Sequence, residues 1–420
     1  MTRLGKYELQ EEIGRGGFAT VYRATHISLG SEAAVKVLDV SRLSDLRARE
    51  RMEREARIAS GLTHPHIVTI FDLIHEGETL AIAMEYLREG NLRQWIQKNK
   101  PDPPALLDLL SQTAEALDYI HSQRYQSDRP LLHRDVKPEN ILLDRDPLSG
   151  KPLAKLSDFG LALDPQPAAG LTQAQGVPGT AYYVAPEIVE ALPAESLDGR
   201  ADQYSLAVMA YELLCGQRPF EGNDPIAVMT KRLDEEPPKP SSINPQLPRE
   251  FDEPLLKALQ KAPENRYPSC GDFVRKLREA WQASLLRRVR ELVEEANQTA
   301  ERGDFKSASA RLNEAERLVP ADPRIAAARQ RIDVQAERAQ RYEEAYQNWQ
   351  NAIQKAHAVL DLAPDFPDPQ GLLVMLGVRP APKAPFDWRA WLIRIGVGFL
   401  LAAPFALLFY ALATLWILNK

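Results

Sequence analysis

The sequence predicts an α+β fold built in several units: a small sheet-rich unit, a larger helical one, a further helical region and a terminal membrane helix. Three observations carry this. Residues 7 to 90 are short runs with valine and alternating apolar positions, broken by one charged helical stretch. After Gly90 the pattern turns helical. From Ile395 to Leu418 no charged residue occurs over 24 positions, long enough for a helix across the hydrocarbon core, which takes about 20 residues.

In order, YELQEEIG, ATVYRATH and AAVKVLDV read as strands, and RLSDLRARERMEREARIASGL as a helix with an apolar face at Met52, Ala56 and Ala59. IVTIFDLI and LAIAMEYL supply two more strands. LLDLLSQTAEALDYIHSQ and the strongly apolar RADQYSLAVMAYELLCG are helices, and this second unit ends near residue 280. Residues 285 to 370 are polar and helix-rich. There DFKSASARLNEAERLVPADP, from Asp304, lies over NWQNAIQKAHAVLDLAPDFP, from Asn348, matching Phe305 to Trp349, Ala308 to Ala352, Leu318 to Leu362 and Pro320 to Pro364. The offset is 44 residues. It resembles tetratricopeptide repeats over 286–368 if ten residues are inserted into a period of about 34; a non-repeat helical stalk is the plainer reading. A proline-rich linker over 378–390 leads into the span at 395–418.

A length of 420 residues exceeds one ordinary core and makes two or three domains of about 100–200 residues. The net charge of −6 shows no basic excess, so no nucleic-acid partner is expected. Cys215 and Cys270 are too few for a disulfide framework and lack metal-ligand spacing, which points to a reducing compartment. The opening MTRLGKYELQEE has no apolar core of a secretory signal. Arg389, Arg394 and Lys383 before the span, against Lys420 after it, place its N-terminal side in the cytoplasm. The expectation is a single-pass membrane protein with the lipid bilayer as a partner.

GRGGFATV, from Gly14 to Val21, lies between two strands. A dinucleotide-binding reading fails because a strand rather than a helix follows, and a Walker A reading fails for want of GK[ST]. A hairpin whose backbone N–H groups close over phosphates remains, next to the plain reading of a structural turn. Lys36, between Val35 and Val37, points away from both, either to solvent or to phosphates with a helix carboxylate, Glu53 or Glu55, to hold it. In LLHRDVKPENILL the charges have an order. Phosphoryl transfer needs a carboxylate near the attacking hydroxyl, a cation near the transferred phosphate and oxygen ligands for magnesium. Asp135, Lys137 and Asn140 supply these in one loop, and LSDFG adds Asp158 at a strand end. His133 is a scaffold of the loop, and Arg134 calls for an anion.

HRDVKPEN, DFG and GTAYYVAPE at these distances resemble the eukaryotic-like serine/threonine protein kinases, including the membrane-anchored bacterial ones, over residues 7–281. The resemblance implies a bilobal protein kinase fold, with an N-lobe at about 7–87 and a C-lobe at about 88–281. By the same resemblance Ile13, Gly14, Gly16, Val21 and Ala34 line the ATP site, where Ala19 replaces the third glycine of the family loop. Lys36 and Glu55 form an ion pair, Met84 gates the adenine pocket, Glu85 and Leu87 offer backbone groups, and Leu142 lies beneath the ring. Asp135 is the catalytic base, Lys137 contacts phosphate, and Asn140 and Asp158 hold Mg2+, or Mn2+ in its place. Glu187 pairs with Arg266, and Asp202 braces the catalytic loop. Lys137 and Thr180 follow the serine/threonine pattern, and a full activation segment ending in APE forms a docking surface for protein substrates.

Thr172 and Thr180 are the only threonines between Asp158 and Glu187, with no serine. If Thr180 is committed to the catalytic loop, Thr172 is the activating autophosphorylation site, met by Arg134, with self-association serving transfer in trans. A pseudokinase scaffold acting through the helical region is the alternative. It would lack one or more of Lys36, Asp135, Asn140 and Asp158, and none is lost.

Overall fold

The computed structural model describes residues 2–16, 19–38, 46–124, 130–158, 180–193, 196–222 and 224–362. The chain divides into two compact units, Met1–Ser284 and Leu285–Lys420.

The first unit opens with a six-stranded antiparallel sheet: β1 (Thr2–Leu4), β2 (Tyr7–Arg15), β3 (Ala19–His26), β4 (Glu32–Leu38), β5 (Ile70–Glu76) and β6 (Thr79–Met84), in the order β1-β2-β3-β4-β6-β5. Alternation sorts the side chains. Ala33, Val35, Ala81 and Ala83 join Tyr7, Leu9 and Ala24 on one face. Leu38, Leu80 and Ile82 pack on the other against Met52 and Ala56 of α1 (Leu46–Ala59). The register Ala34↔Met84 and Lys36↔Ile82 therefore puts Ala34, Lys36 and Met84 on that second face.

A larger helical lobe follows. α2 (Leu92–Asn99) starts at a capping box between Asn91 and Gln94, and α3 (Pro103–Ser122) at Asp102, whose carboxylate accepts the Ala105 N–H, with proline in the first turn. A small sheet of β7 (Gly90–Asn91), β8 (Ile141–Arg145) and β9 (Pro152–Leu156) carries the loop before β8. Further on come α4 (Pro186–Val189), α5 (Arg200–Cys215), α6 (Pro225–Asp234), α7 (Pro240–Ile243) and α8 (Asp252–Ala258), then α9 (Cys270–Glu301), which crosses the unit boundary. α5 is buried almost all round and ends at Gly216, in the left-handed region with φ 81. It sits in the main core with α3, Phe251, Leu255 and Phe273.

In the second unit the end of α9 packs with α10 (Phe305–Leu318) and α11 (Pro323–Leu362) around Leu292, Ala308, Leu312, Ala315, Ile325 and Ala328. Gly303, at φ 84, and the cap Asp304 separate α9 from α10. The two-repeat expectation is corrected here: the second copy, from Asn348, has no turn of its own, because residues 348–362 continue one 40-residue helix. The reason is local. Asn348 could cap as Asp304 does, but Gln347 stands where Gly303 ends α9 at φ 84, and nothing there breaks the helix.

The membrane expectations are corrected as well. No helix among the described residues is long and apolar enough to cross a membrane. α9 and α11 have the length, but α9 carries arginine and glutamate throughout, and α11 is charged over its first half and polar, with Lys355 and Asp361, over its second. The 395–418 stretch and the 378–390 linker lie outside the described residues. The fold class is thus a two-lobed α+β unit followed by helices, and the transmembrane helix, the bilayer partner and the single-pass localisation are withdrawn.

Candidate active site

An apolar cluster joins the two lobes of the first unit. Val21, Ala34, Val68, Met84, Leu87 and Leu142 form one cluster, with Ile70 and Tyr86 against it. Ile13 stands at 40% exposure. Beside this cluster the Glu85 N–H donates to the Thr69 carbonyl at 2.9 Å, and Lys155 Nζ donates to both Glu85 carboxylate oxygens at 2.8 Å. What Glu85 can offer a ligand is therefore its main-chain carbonyl.

The β2–β3 hairpin closes with Gly14 opposite Val21 and the Gly16 N–H on the Ala19 carbonyl at 2.9 Å. Neither glycine has positive φ. A Cβ at Gly14 would meet only Val21, at 3.9 Å, and one at Gly16 only the Ala19 carbonyl, at 3.7 Å. Neither the backbone nor a neighbour demands glycine there. Bare backbone open to the approach of a ligand is what the two residues add.

Opposite lies the loop before β8. Lys137 Nζ donates to Asp135 Oδ2 at 2.7 Å, and Asn140 Nδ2 donates to the same oxygen at 2.9 Å and to the Asp135 carbonyl at 2.8 Å. Underneath, Asp202 is wholly buried. It accepts the N–H groups of His133 at 2.8 Å and Arg134 at 2.7 Å, and its Oδ2 meets His121 Nε2 at 2.8 Å. Burial acts to raise its pKa, but the hydrogen bond and charge of His121, with His133, outweigh this and hold the carboxyl below the usual range. Asp202 thus grips two successive N–H groups of a loop that turns through φ 64 at Arg134. His133 Nε2 reaches the Ser157 carbonyl at 3.0 Å, which ties this loop to the end of β9.

Asp158 follows Ser157, also at φ 64. Its Oδ1 accepts Lys36 Nζ at 2.7 Å, a contact between residues 122 apart in sequence. Burial again opposes ionisation, yet Lys36 by charge and hydrogen bond, with Lys137 behind it, keeps the carboxyl below its ordinary pKa. Glu55 lies on α1, and its side chain is outside the described set; the partner described for Lys36 is Asp158. The structure thus brings two lysines, two carboxylates and an asparagine close together: Lys36 on Asp158, Lys137 and Asn140 on Asp135, and the charge of Lys137 felt at Asp158.

Residues 7–278 match the family model described as Protein kinase domain. The chain belongs to this family. The chain is similar to the serine/threonine-protein kinase PrkC of Bacillus subtilis, at 33% identity over 69% of this chain and 43% of that protein. Likewise it is 38% identical to PknF of Mycobacterium tuberculosis over 64% of this chain and 55% of that one. It spans about half the length of these curated relatives. The crystal structure of the Mycobacterium tuberculosis PknI kinase domain is similar at 31% identity and TM-score 0.50, covering 66% of this chain and 98% of that one. Residues 7–278 are therefore a protein kinase domain.

Elsewhere in the kinase domain Glu187, on α4, and Arg266 form a buried bidentate pair, Nη1 to Oε1 at 2.7 Å and Nη2 to Oε2 at 2.8 Å. The backbone of Thr180 begins a 3-10 turn, Thr180–Tyr182; its side chain and Thr172 lie outside the described residues. Several working residues escaped sequence reasoning. His121 orients Asp202, and Arg93 bridges Glu139 (2.9 Å), Glu212 (2.8 Å) and the Tyr183 hydroxyl. No spacing marks them, because each meets its partners across helices. Asp118, His121 and Cys270 also bring ligand atoms within 4.8 Å of one another. They do not suit a metal: both Asp118 oxygens accept the N–H groups of Cys270 and Gly271 at 2.9 Å, and burial pushes the Cys270 thiol well up.

Proposed function

We propose that this chain transfers the γ-phosphoryl group of ATP to serine and threonine hydroxyls of proteins, itself included. One observation supports it above all: Asp135, Lys137 and Asn140 interlock within 2.7–2.9 Å, and across the cleft Lys36 meets Asp158 at 2.7 Å. Asp135, with one oxygen oriented by Lys137 and Asn140, takes the role of base toward an incoming hydroxyl. Lys36 and Lys137 bring positive charge to the phosphates. The apolar cluster of Val21, Ala34, Met84, Leu87 and Leu142 takes the adenine, with the backbone of Glu85 and Leu87 at its edge.

The donors suit magnesium. Asn140 spends its amide N–H groups on Asp135, which leaves its carbonyl oxygen, and Asp158 offers a carboxylate held ionised; both are hard oxygen donors. When bound, the ion neutralises charge on the phosphates. Arg134 and Thr172 are read as an anion site and its phosphorylated partner.

Full-length protein with labelled ATP and magnesium tests the reading. Transfer to serine and threonine is expected, with losses of at least about 100-fold in Lys36→Met and Asp135→Asn, since acid–base help is worth about 10²–10⁴-fold. Undiminished transfer by both variants refutes it.

A further inference from the structure

Arg232 is the largest fully buried side chain among the described residues, and it is a cation. Its Nη1 donates to the carbonyls of Ala181 at 3.0 Å and Val184 at 2.5 Å, and its Nη2 to that of Tyr182 at 2.7 Å. Among the described residues no carboxylate pairs with it. Its Nε and the hydroxyl of Tyr204 are both buried without a hydrogen-bond partner there. The guanidinium's well-formed hydrogen bonds thus all go to main-chain carbonyls of four consecutive residues, with the Tyr204 hydroxyl close beside it as the one side chain that favours its charge.

Those four residues are held from two more sides. Arg218 lies over the Tyr182 ring, 3.8 Å from its centroid. The Tyr183 hydroxyl donates to Glu212 Oε2 at 2.6 Å and accepts from Arg93, which also binds Glu139, next to Asn140 in the loop of Asp135. On the kinase reading this stretch, between Thr180 and the Glu187 anchor, is the floor on which a protein substrate docks.

We propose that Arg232 is a positioning residue for the protein substrate, locking Ala181–Val184 into one docking-competent conformation. A buried guanidinium without a counterion is tolerated only while hydrogen-bond acceptors meet it. Any conformation that withdraws the three carbonyls strands the charge in the core, so the alternatives are penalised far more than by an apolar residue at 232. The floor is thereby set from α6 below it, by a residue that touches neither ATP nor the reacting hydroxyl.

The inference rests on the kinase reading and is tested on the full chain. Arg232→Lys keeps charge but loses the three-way fork; Arg232→Met keeps length and loses both. For each, KM for a serine peptide and KM for ATP are measured, with amide exchange at residues 181–184. A misplacement on the order of 1 Å can cost about 100-fold, so peptide KM should rise about 10–100-fold in Arg232→Lys, with ATP KM within about twofold and faster exchange confined to 181–184. If Arg232→Met fails to fold, Arg232→Lys decides. Unchanged peptide KM and exchange, or peptide and ATP KM rising together, overturns the proposal. Absence of phosphate transfer by the parent chain would defeat the kinase reading instead, and the exchange comparison would then decide the role of Arg232 alone.

Discussion

Replacing Arg266 with leucine should destabilise the first unit severely, and the size follows from what the side chain holds. Its guanidinium is wholly buried, and the Glu187 side chain it pairs with is 4% exposed. Beyond the two carboxylate bonds it donates to the carbonyls of Gln260, Arg200 and Lys261, each at 2.8 Å. Arg266→Leu leaves a buried carboxylate without its cation and three carbonyls without a donor. Removing one member of a buried pair costs about 3–5 kcal/mol. Unfolding entropy of about 2.1 cal/mol/K per residue gives about 0.6 kcal/mol/K for Met1–Ser284, hence a fall in Tm of about 5–8 °C. Chemical and thermal denaturation of the parent, Arg266→Leu, Glu187→Gln and the double variant would measure it. The double variant should be less destabilised than the sum of the two single ones, because neutralising Glu187 removes the stranded charge. A loss below about 1 kcal/mol in Arg266→Leu, or strict additivity, would refute the reasoning.

Two further outcomes follow from the Asp202 brace. Gly199→Ala would place a Cβ 2.4 Å from His121 Nδ1 and 2.8 Å from its Cγ, and a ring held at its other nitrogen by Asp202 cannot swing aside cheaply. A loss of about 1–3 kcal/mol is expected, together with weaker phosphate transfer; a melt matching the parent would contradict this packing. Asp202 also links stability to pH. Its folded pKa lies below the ordinary 3.8, so its stabilisation is complete above that value and is lost as pH falls through the folded pKa. The stability gap between the parent and Asp202→Asn should therefore be constant near neutrality and shrink below about pH 4; a gap unchanged down to pH 3 would disprove the linkage.

Strand alternation alone put Lys36 on the face opposite Val35, and the interval between Asp135 and Asn140 is short enough that one loop had to carry both. The helices over Pro103–Ser122 and Arg200–Cys215 were legible from their apolar runs. These are local matters, set by backbone period and turn chemistry within a few residues. The apolar tail was legible as composition, but reading it as a membrane helix went past what the described helices support.

Partner choice was decided only in three dimensions. Lys36 meets Asp158 because the sheet and the end of β9 face one cleft, and Arg232 meets three carbonyls because α6 passes beneath Ala181–Val184. His121, Arg93 and Arg232 look like ordinary surface residues in the sequence, since a charged side chain reveals nothing of its burial until the elements pack. Burial then removes water as a competitor, so the groups left facing each other must satisfy one another. Sequence determined which chemical groups the kinase domain owns and the face each one takes; packing determined which of them meet.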